Sequence, residues 1–284
     1  MDVYTNWPAP AKLNLFLRIV GRRPDGYHLL QTAFQFIDIC DWISFDLRKD
    51  GVLRRCNPLP GVNEENDLTI RAARLLQNYS QTPLGTDVRV EKNIPIGGGL
   101  GGGSSDAATA LVALNYLWDL GLTKTVLAEL GLKLGADVPV FVHGYAAWAE
   151  GVGEQLSPIK LSEPWYVVIA PRCHVPTGEI FSALELTREA PPITIRGFLA
   201  GHSENVFEPV VRKRFPQVAE ALDWLSQYAK AKLTGTGACV YAAFESEGQA
   251  SEIAAKVPRE WKGFKARGMN DSPLYKKLSS HQEP

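Results

Sequence analysis

The sequence predicts an α+β protein built as two domains that divide near residue 160. β-rich and helical stretches follow one another without regular βαβ alternation. A chain of 284 residues is long enough for two ordinary cores. At QLSPIKLSEPWYVV, prolines and polar residues break the composition before a new apolar strand begins. The expected domains are 1–160 and 161–284.

Residues 13–20 (LNLFLRIV) read as a strand, and GRRPDGYH after them carries the Pro-Asp-Gly punctuation of a turn. Thr32–Phe45 supplies a second β-rich stretch. From Asn66 the period changes, and DLTIRAARLLQNY sets Leu68, Ala72, Leu75 and Leu76 on one helical face. Residues 87–96 (DVRVEKNIPI) begin with period-two alternation and predict a strand ending at the glycine run 97–103. Ser104 and Ser105 are candidate caps for the helix that follows, with Asp106 in its first turn against the positive end of the dipole. Residues 124–134 predict another helix, and GADVPVFVHG predicts a turn entering a short apolar strand. Beyond 160 the expected order is a strand (165–170), a helix (219–229), a strand-loop-strand (KAKLTGTGACVYAAF), a short helix near Ile253 and a last strand near Lys265.

With 45% hydrophobic and 21% charged residues and a net charge of -1, the chain is neither disordered nor adapted to wrap nucleic acid. Cys40, Cys56, Cys173 and Cys239 are widely spaced and form no C-x-x-C pair, which fits a reducing cytoplasm. The opening MDVYTNWPAP lacks a basic and apolar leader, and no apolar run approaches the ~18 residues of a membrane span. The expectation is a cytoplasmic protein without a membrane or nucleic-acid partner, a monomer or weak homodimer.

NIPIGGGLGGGSSDAATA raises the functional question, because Gly97 to Gly103 is interrupted only by Leu100. Each ordered glycine costs roughly 0.5–1 kcal/mol relative to alanine, so something must offset the run. A surface linker is one reading, though a strand and an alanine-rich helix flank it closely. An anion cradle is another: glycines let backbone N–H groups converge on phosphate oxygens, and a helix N-terminus adds its own. Gly97, Gly99 and Gly102 also satisfy the dinucleotide pattern G-x-G-x-x-G, but Asp119, the nearest acid about twenty residues on, sits at the end of the same helix. The lysine of a P-loop is absent.

PIGGGLGGGSSDAA resembles the second motif of the GHMP small-molecule kinases, a phosphate-binding loop and helix start. PAPAKLNLFLRIVGRRPDGYHLLQT (8–32) is similar to the first motif, and LTGTGACVYAAF (233–244) to the third. The three occur in the family's order over nearly the whole chain. A-K-L-N-L-x-L followed by R-P-D-G-Y-H-x-L resembles the branch acting on 4-diphosphocytidyl-2-C-methyl-D-erythritol, as distinct from homoserine, galactose or mevalonate relatives. The resemblance implies a ribosomal-protein-S5-like N-terminal domain and a ferredoxin-like C-terminal one, with the active site in the cleft between. It implies ATP as co-substrate, Mg2+, and phosphorylation of a tertiary hydroxyl on the way to isoprenoid precursors.

On this resemblance Asp137 is the general base and Lys12 its charge partner; read alone, Asp137 beside Val138-Pro139 is a turn or capping residue and Lys12 a solvated strand-edge lysine. The ATP-binding set is Asn66, Lys92, Pro95, Gly97, Gly98, Gly99, Leu100, Gly101, Gly102, Gly103, Ser104 and Ser105. Asn66 could equally be an N-cap and Lys92 a solvated strand end. For the acceptor, Tyr27, His28 and Phe181 match a cytosine reader, since an aromatic face and a hydrogen-bonding edge suit that ring. Asn14, Thr177, Thr234 and Gly235 match positions near the methylerythritol and diphosphate, although residues 234–237 also read as a plain β-turn. No metal ligand is expected from protein side chains, and the ion is expected on the phosphates. Val206 stands where many relatives carry aspartate.

Overall fold

The computed structural model describes residues 6–59 and 61–281; the first five residues, part of the stretch read for a leader, lie outside them. A long antiparallel hairpin organises the molecule. β1 (Trp7–Arg22) and β2 (His28–Arg48) run side by side, with irregular register between Pro10 and Ala11, Asn14 and Phe16, and Ile19 and Gly21. Their connection is the expected turn, with Gly26 at φ +92 and the Asp25 carboxylate accepting the Tyr27 N–H at 3.2 Å. Along β1 side chains alternate: Leu13 enters the core, while Lys12 and Asn14 share the other face.

β3 (Leu53–Arg55) pairs parallel with β4 (Gly85–Glu91), which lies against β2, and α1 (Leu68–Ser80) connects them. β4 stops at Glu91, short of the predicted Ile96. The buried Asp41 carboxylate takes the N–H groups of Asn93 and Ile94 at 2.6 and 2.8 Å, replacing ladder partners. α2 (Gly102–Leu117) is buried continuously from Ser105 to Leu114 and packs in a cluster with α1, α3 (Lys124–Leu132) and α4 (Val138–His143). Beyond these, β5 (Ala147–Glu150) and β6 (Gln155–Pro158) extend the sheet beyond β2.

α4 replaces the strand predicted for GADVPVFVHG. Pro139 suits the first helical turn, Val138 to Val142 are all buried, and Gly144 at φ +76 ends the helix. A five-residue apolar run without polar alternation does not distinguish a buried strand from a buried helix.

The second part opens with β7 (Trp165–Ala170), continues through α5 (Thr177–Ser182), α6 (Ile195–Leu199), α7 (Glu208–Arg214) and α8 (Pro216–Ser226), and closes with β8 (Lys232–Leu233), β9 (Val240–Phe244), α9 (Glu247–Lys256) and β10 (Lys262–Met269). Its antiparallel sheet has the order β10-β7-β9-β8, and residues of α7, α8 and α9 form a core on it. β10 also pairs with β2 at Gly268↔Ile37 and Met269↔Phe36, so one sheet runs through both parts. The expected division at 160 falls between β6 and β7, but the C-terminal part does not run whole to the end. α10 (Pro273–Ser280), which the sequence reading left unassigned, puts Leu274 into the first core and Tyr275 and Leu278 against it. Among the described strands only β3–β4 is parallel, so the glycine run does not open a βαβ crossover of the dinucleotide kind.

Candidate active site

Lys12 meets Asp137 where β1 passes the start of α4. Its side chain is only 3% exposed, yet its Nζ has Asp137 Oδ2 at 3.2 Å, Asn14 Oδ1 at 2.5 Å and the Gly99 carbonyl at 3.0 Å. A buried ammonium needs such partners, and a solvated strand-edge lysine would have none of them. Asp137 is half-exposed, at 36% of its side chain, so one side of the pair stays open to the cleft. It is the N-cap of α4 but makes no side-chain capping bond, which leaves its carboxylate to Lys12. Asn14 is held on every side. Its Nδ2 donates to Thr32 Oγ1 at 2.9 Å, its N–H to Thr234 Oγ1 at 3.0 Å, and its carbonyl accepts from the Tyr241 hydroxyl at 3.1 Å. Those bonds turn Oδ1 toward Lys12.

The glycine loop is locked between β1, α4 and the residue 234–237 loop. Gly97, Gly99 and Gly101 have φ between +71 and +77. A Cβ on Gly101 would lie 2.8 Å from Phe141 and 3.0 Å from Lys12 Cε, and one on Gly98 would lie 2.5 Å from Cys239 Sγ. Leu100, 1% exposed, anchors the loop in the core, and its carbonyl accepts the Lys12 N–H at 3.0 Å. This dense fixing removes the linker reading.

Gly101, not a serine, caps α2, and no side chain bonds the first turn. The leading N–H groups therefore point outward without a protein side-chain partner, as an anion site requires. Ser104 is the third helical residue and lines the cleft. Ser105 is fully buried, its Oγ without a hydrogen-bond partner, and it does not line the cleft. Asp106 lies beyond the first turn and has a different partner from the dipole: its Oδ2 receives Lys92 Nζ at 2.6 Å. Asp41 holds the same ammonium. Lys92 Nζ also lies 3.3 Å from where a Gly102 Cβ would be, so it sits beneath the loop rather than in solvent. Burial opposes its charge, but the Asp106 and Asp41 carboxylates outweigh burial and hold its pKa above the ordinary lysine value. Burial, countered in part by Lys92 and reinforced by Asp41, pushes Asp106 up to about 7. Its Oδ1 is buried without a partner.

At the opposite end of the cleft the His28 and Phe181 rings lie 5.4 Å apart, and Phe181 meets Phe207 edge-on at 4.7 Å. Tyr27 is 65% exposed at the rim. Burial, then Arg188 and Arg22, lowers the His28 pKa, so its ring is neutral near pH 7; its Nε2 is buried and unpartnered. Thr177 and Thr236 hydroxyls meet at 3.0 Å. Thr234 is buried, acting on Asn14 from behind, whereas Gly235 faces the cleft. Asn66 ends a short 3-10 turn; the N-cap of α1 is Asp67, whose carboxylate accepts the Thr69 N–H at 2.8 Å. The Asn66 side chain is thus spared capping and exposed at the cleft wall.

One cleft of about 1560 Å³ gathers these residues, with Ser105 and Thr234 behind its wall. Asp41, Arg22, Arg188 and Thr236 complete the surroundings and were not singled out in the sequence. Asp106 was visible beside the glycine run; Arg188 stands in no motif. Among the described residues no helix is long and apolar enough to cross a membrane, and no group of three or more His, Cys, Asp or Glu is placed to hold a metal ion.

A glycine loop at a helix N-terminus, joined through a Lys–Asp pair to an aromatic end of the same cleft, is the architecture of a phosphotransferase acting on a small molecule. Residues 67–145 match the GHMP kinases N terminal domain and residues 192–263 the GHMP kinases C terminal domain. The chain is 60% identical over 268 residues to the 4-diphosphocytidyl-2-C-methyl-D-erythritol kinase of Nitrosococcus oceani, covering 94% of this chain and 96% of that one. It is 56% identical to the enzyme of that name from Methylococcus capsulatus, covering 96% and 94%. A crystal structure of 4-(cytidine 5'-diphospho)-2C-methyl-D-erythritol kinase superposes with a TM-score of 0.80 at 32% identity, over 93% of this chain and 99% of that one. A mevalonate kinase structure, at TM-score 0.69 and 18% identity over 94% and 100%, shares the fold. The chain belongs to the GHMP kinase family, in its 4-diphosphocytidyl-2-C-methyl-D-erythritol kinase branch. Members of that family are ATP-dependent small-molecule kinases, and this chain is one of them.

Proposed function

We propose that the protein transfers the γ-phosphoryl group of ATP to the 2-hydroxyl of 4-diphosphocytidyl-2-C-methyl-D-erythritol, giving the 2-phosphate and ADP in the non-mevalonate route to isoprenoid precursors. The observation that carries this reading is the Lys12–Asp137 contact at 3.2 Å, which lies between the glycine loop and the His28–Phe181 end of one cleft.

Asp137 accepts the hydroxyl proton as the alcohol oxygen forms its bond to phosphorus and the bond from phosphorus to the ADP oxygen breaks. Lys12, fixed by Asn14 and Gly99, favours the ionised aspartate and the developing alkoxide by charge. The N–H groups at the start of α2 take up negative charge on the phosphates. Asn66 faces the adenine, and Lys92 supports the loop from below. Tyr27 and Phe181 offer faces to the cytosine, neutral His28 reads its edge, and Asn14, Thr177 and Gly235 line the path of the diphosphate and methylerythritol.

Mg2+ fits the donor set only as a lightly held ion. Ser104 is the hydroxyl lining the cradle, and without an acidic cluster among the described residues the nucleotide phosphates and water supply most of its oxygens. When bound, it neutralises phosphate charge during transfer.

An ADP-release assay with 4-diphosphocytidyl-methylerythritol beside homoserine, mevalonate and galactose tests the reading. Turnover is expected with the first alone; turnover with another and none with the first would overturn the acceptor assignment.

A further inference from the structure

The candidate base is carried by one of the shortest helices in the molecule, and that helix is clamped at its far end by chain about 130 residues away in sequence. α4 has Asp137 at its N-cap and Val138 to Val142 wholly buried. At its other end the last carbonyls have no intrahelical donors and need others. The Tyr275 hydroxyl donates to the Val142 carbonyl, Lys124 Nζ donates to the His143 carbonyl at 3.3 Å, and the Ser272 N–H donates to the Gly144 carbonyl at 2.9 Å. The Tyr275 ring lies so close to Gly144 that a Cβ there would be 2.3 Å from Tyr275 Cδ2, and Lys124 Nζ sits 3.5 Å above the same ring. The Ala146 N–H, donating to the Asn270 carbonyl at 2.7 Å, continues the seam.

Between its two ends α4 also touches the glycine loop, where a Cβ on Gly101 would be 2.8 Å from Phe141. The helix therefore works as a strut, with the segment 270–275 and Lys124 behind it and Lys12 and the glycine loop in front. A close-packed strut transmits displacement because it has no room to absorb it. The segment 270–275 lies outside both matched family domains, which end at residues 145 and 263.

We propose that Tyr275, supported by Lys124, is a positioning residue for Asp137: it fixes α4 along its axis and so sets the Asp137–Lys12 geometry without touching substrate. The inference rests on Asp137 acting as the base. A misplacement of about 1 Å at a reacting group can cost on the order of 100-fold in rate.

The test uses full-length protein and steady-state kinetics of four variants: Tyr275→Phe, Lys124→Met, Asp137→Asn and the Tyr275→Phe/Asp137→Asn double. Tyr275→Phe keeps the ring and removes only the donated bond, so it folds where a larger truncation would not. Expected is a fall in kcat of roughly three- to tenfold for Tyr275→Phe, a smaller fall for Lys124→Met, and KM values for both substrates within about twofold of wild type. In the double variant the Tyr275 change is expected to have no further effect, since it acts through a group already removed. Unchanged kcat in Tyr275→Phe, a rise in both KM values with it, or an undiminished loss in the Asp137→Asn background would overturn the inference. Near-normal turnover of Asp137→Asn alone would instead remove the base assignment, which keeps the two failures apart.

Discussion

Gly99 and Thr234 meet backbone to backbone: a Cβ on Gly99 would lie 2.3 Å from the Thr234 carbonyl oxygen and 3.1 Å from that of Gly237. The first glycine loop is thereby docked on the second, 135 residues away, and the Gly98 carbonyl accepts the Cys239 N–H at 3.0 Å alongside. Glycine at 99 answers two demands, a φ of +77 and an approach that leaves no space for a methyl group.

Gly99→Ala should therefore separate the two loops. The left-handed backbone and the clash together predict a loss of at least about 2 kcal/mol of stability and a fall of roughly tenfold or more in ATP affinity. Gly248→Ala is the control: it lies in α9, has nothing within 4 Å of its Cβ position, and should be neutral or slightly stabilising. Thermal unfolding and binding of a fluorescent ATP analogue compare the two. Equal behaviour would show that the loop contact is slack.

Lys12→Met removes the charge from a position with three oxygen partners and leaves Asn14 Oδ1, the Gly99 carbonyl and Asp137 without it. Loss of transition-state charge stabilisation predicts a fall in kcat on the order of 100- to 1000-fold. Lys12→Arg should not restore it, because the cavity beside Gly101 and Phe34 is shaped to an ammonium stem, with Lys12 Cε 3.0 Å from the Gly101 Cβ position. Single-turnover measurement separates this from a change in binding. A Lys12→Met enzyme within tenfold of wild type would end the charge-partner role.

Much of this site was legible in the sequence because local patterns carry it. The apolar run of residues 13–20 marked β1, the Pro-Asp-Gly turn marked the hairpin, and the glycine run with its alanine-rich helix marked the cradle. What a pattern does not carry is which distant groups meet. Lys12 and Asp137 come together only because β1 and α4 cross at the glycine loop, so their roles rested on the motif resemblance. Asp41 and Arg188 belong to no motif, and the Asp41–Lys92–Asp106 cluster is a product of packing. α4 was misread because five consecutive buried apolar residues have no period, and four of them, Val138, Val140, Phe141 and Val142, are of β-forming type. α10 could have been found: Ser272 caps it by accepting the Leu274 N–H, and Pro273 occupies the first turn, a helix-start signal that the sequence carries.

The aromatic end of the cleft separates two ways of losing the acceptor. Tyr27 is 65% exposed, so Tyr27→Ala should leave stability nearly unchanged while raising KM for the cytidine substrate roughly tenfold. Phe181→Ala should raise that KM as well, and it should also lower the unfolding temperature, because it removes the contacts to His28 and Phe207. KM for ATP should hold in both. Titration of each variant with the two substrates in turn gives the comparison, and a parallel rise in KM for ATP would place these rings outside an acceptor pocket.

Asp106 makes stability depend on pH in a direction opposite to that of an ordinary salt-bridged carboxylate. Its pKa rises from 3.8 to about 7 on folding, mainly through burial, with Lys92 countering and Asp41 reinforcing. The fold therefore favours the protonated acid. Well below pH 3.8 both folded and unfolded chains hold that proton, and Asp106 costs nothing. As pH rises from about 4 to 7 the unfolded chain ionises first, so stability is lost across that window and the full penalty stands above it. Asp106→Asn removes the buried charge while Lys92 keeps Asp41. The variant should match wild type well below pH 3.8 and exceed it above pH 7 by about 1 kcal/mol or more, a gain of roughly 2–4 °C in unfolding temperature per kcal/mol for a chain of this size. Unfolding curves at a series of pH values measure the difference directly; a gap that stays constant with pH, or reverses above pH 7, would mean that Lys92 holds Asp106 ionised throughout.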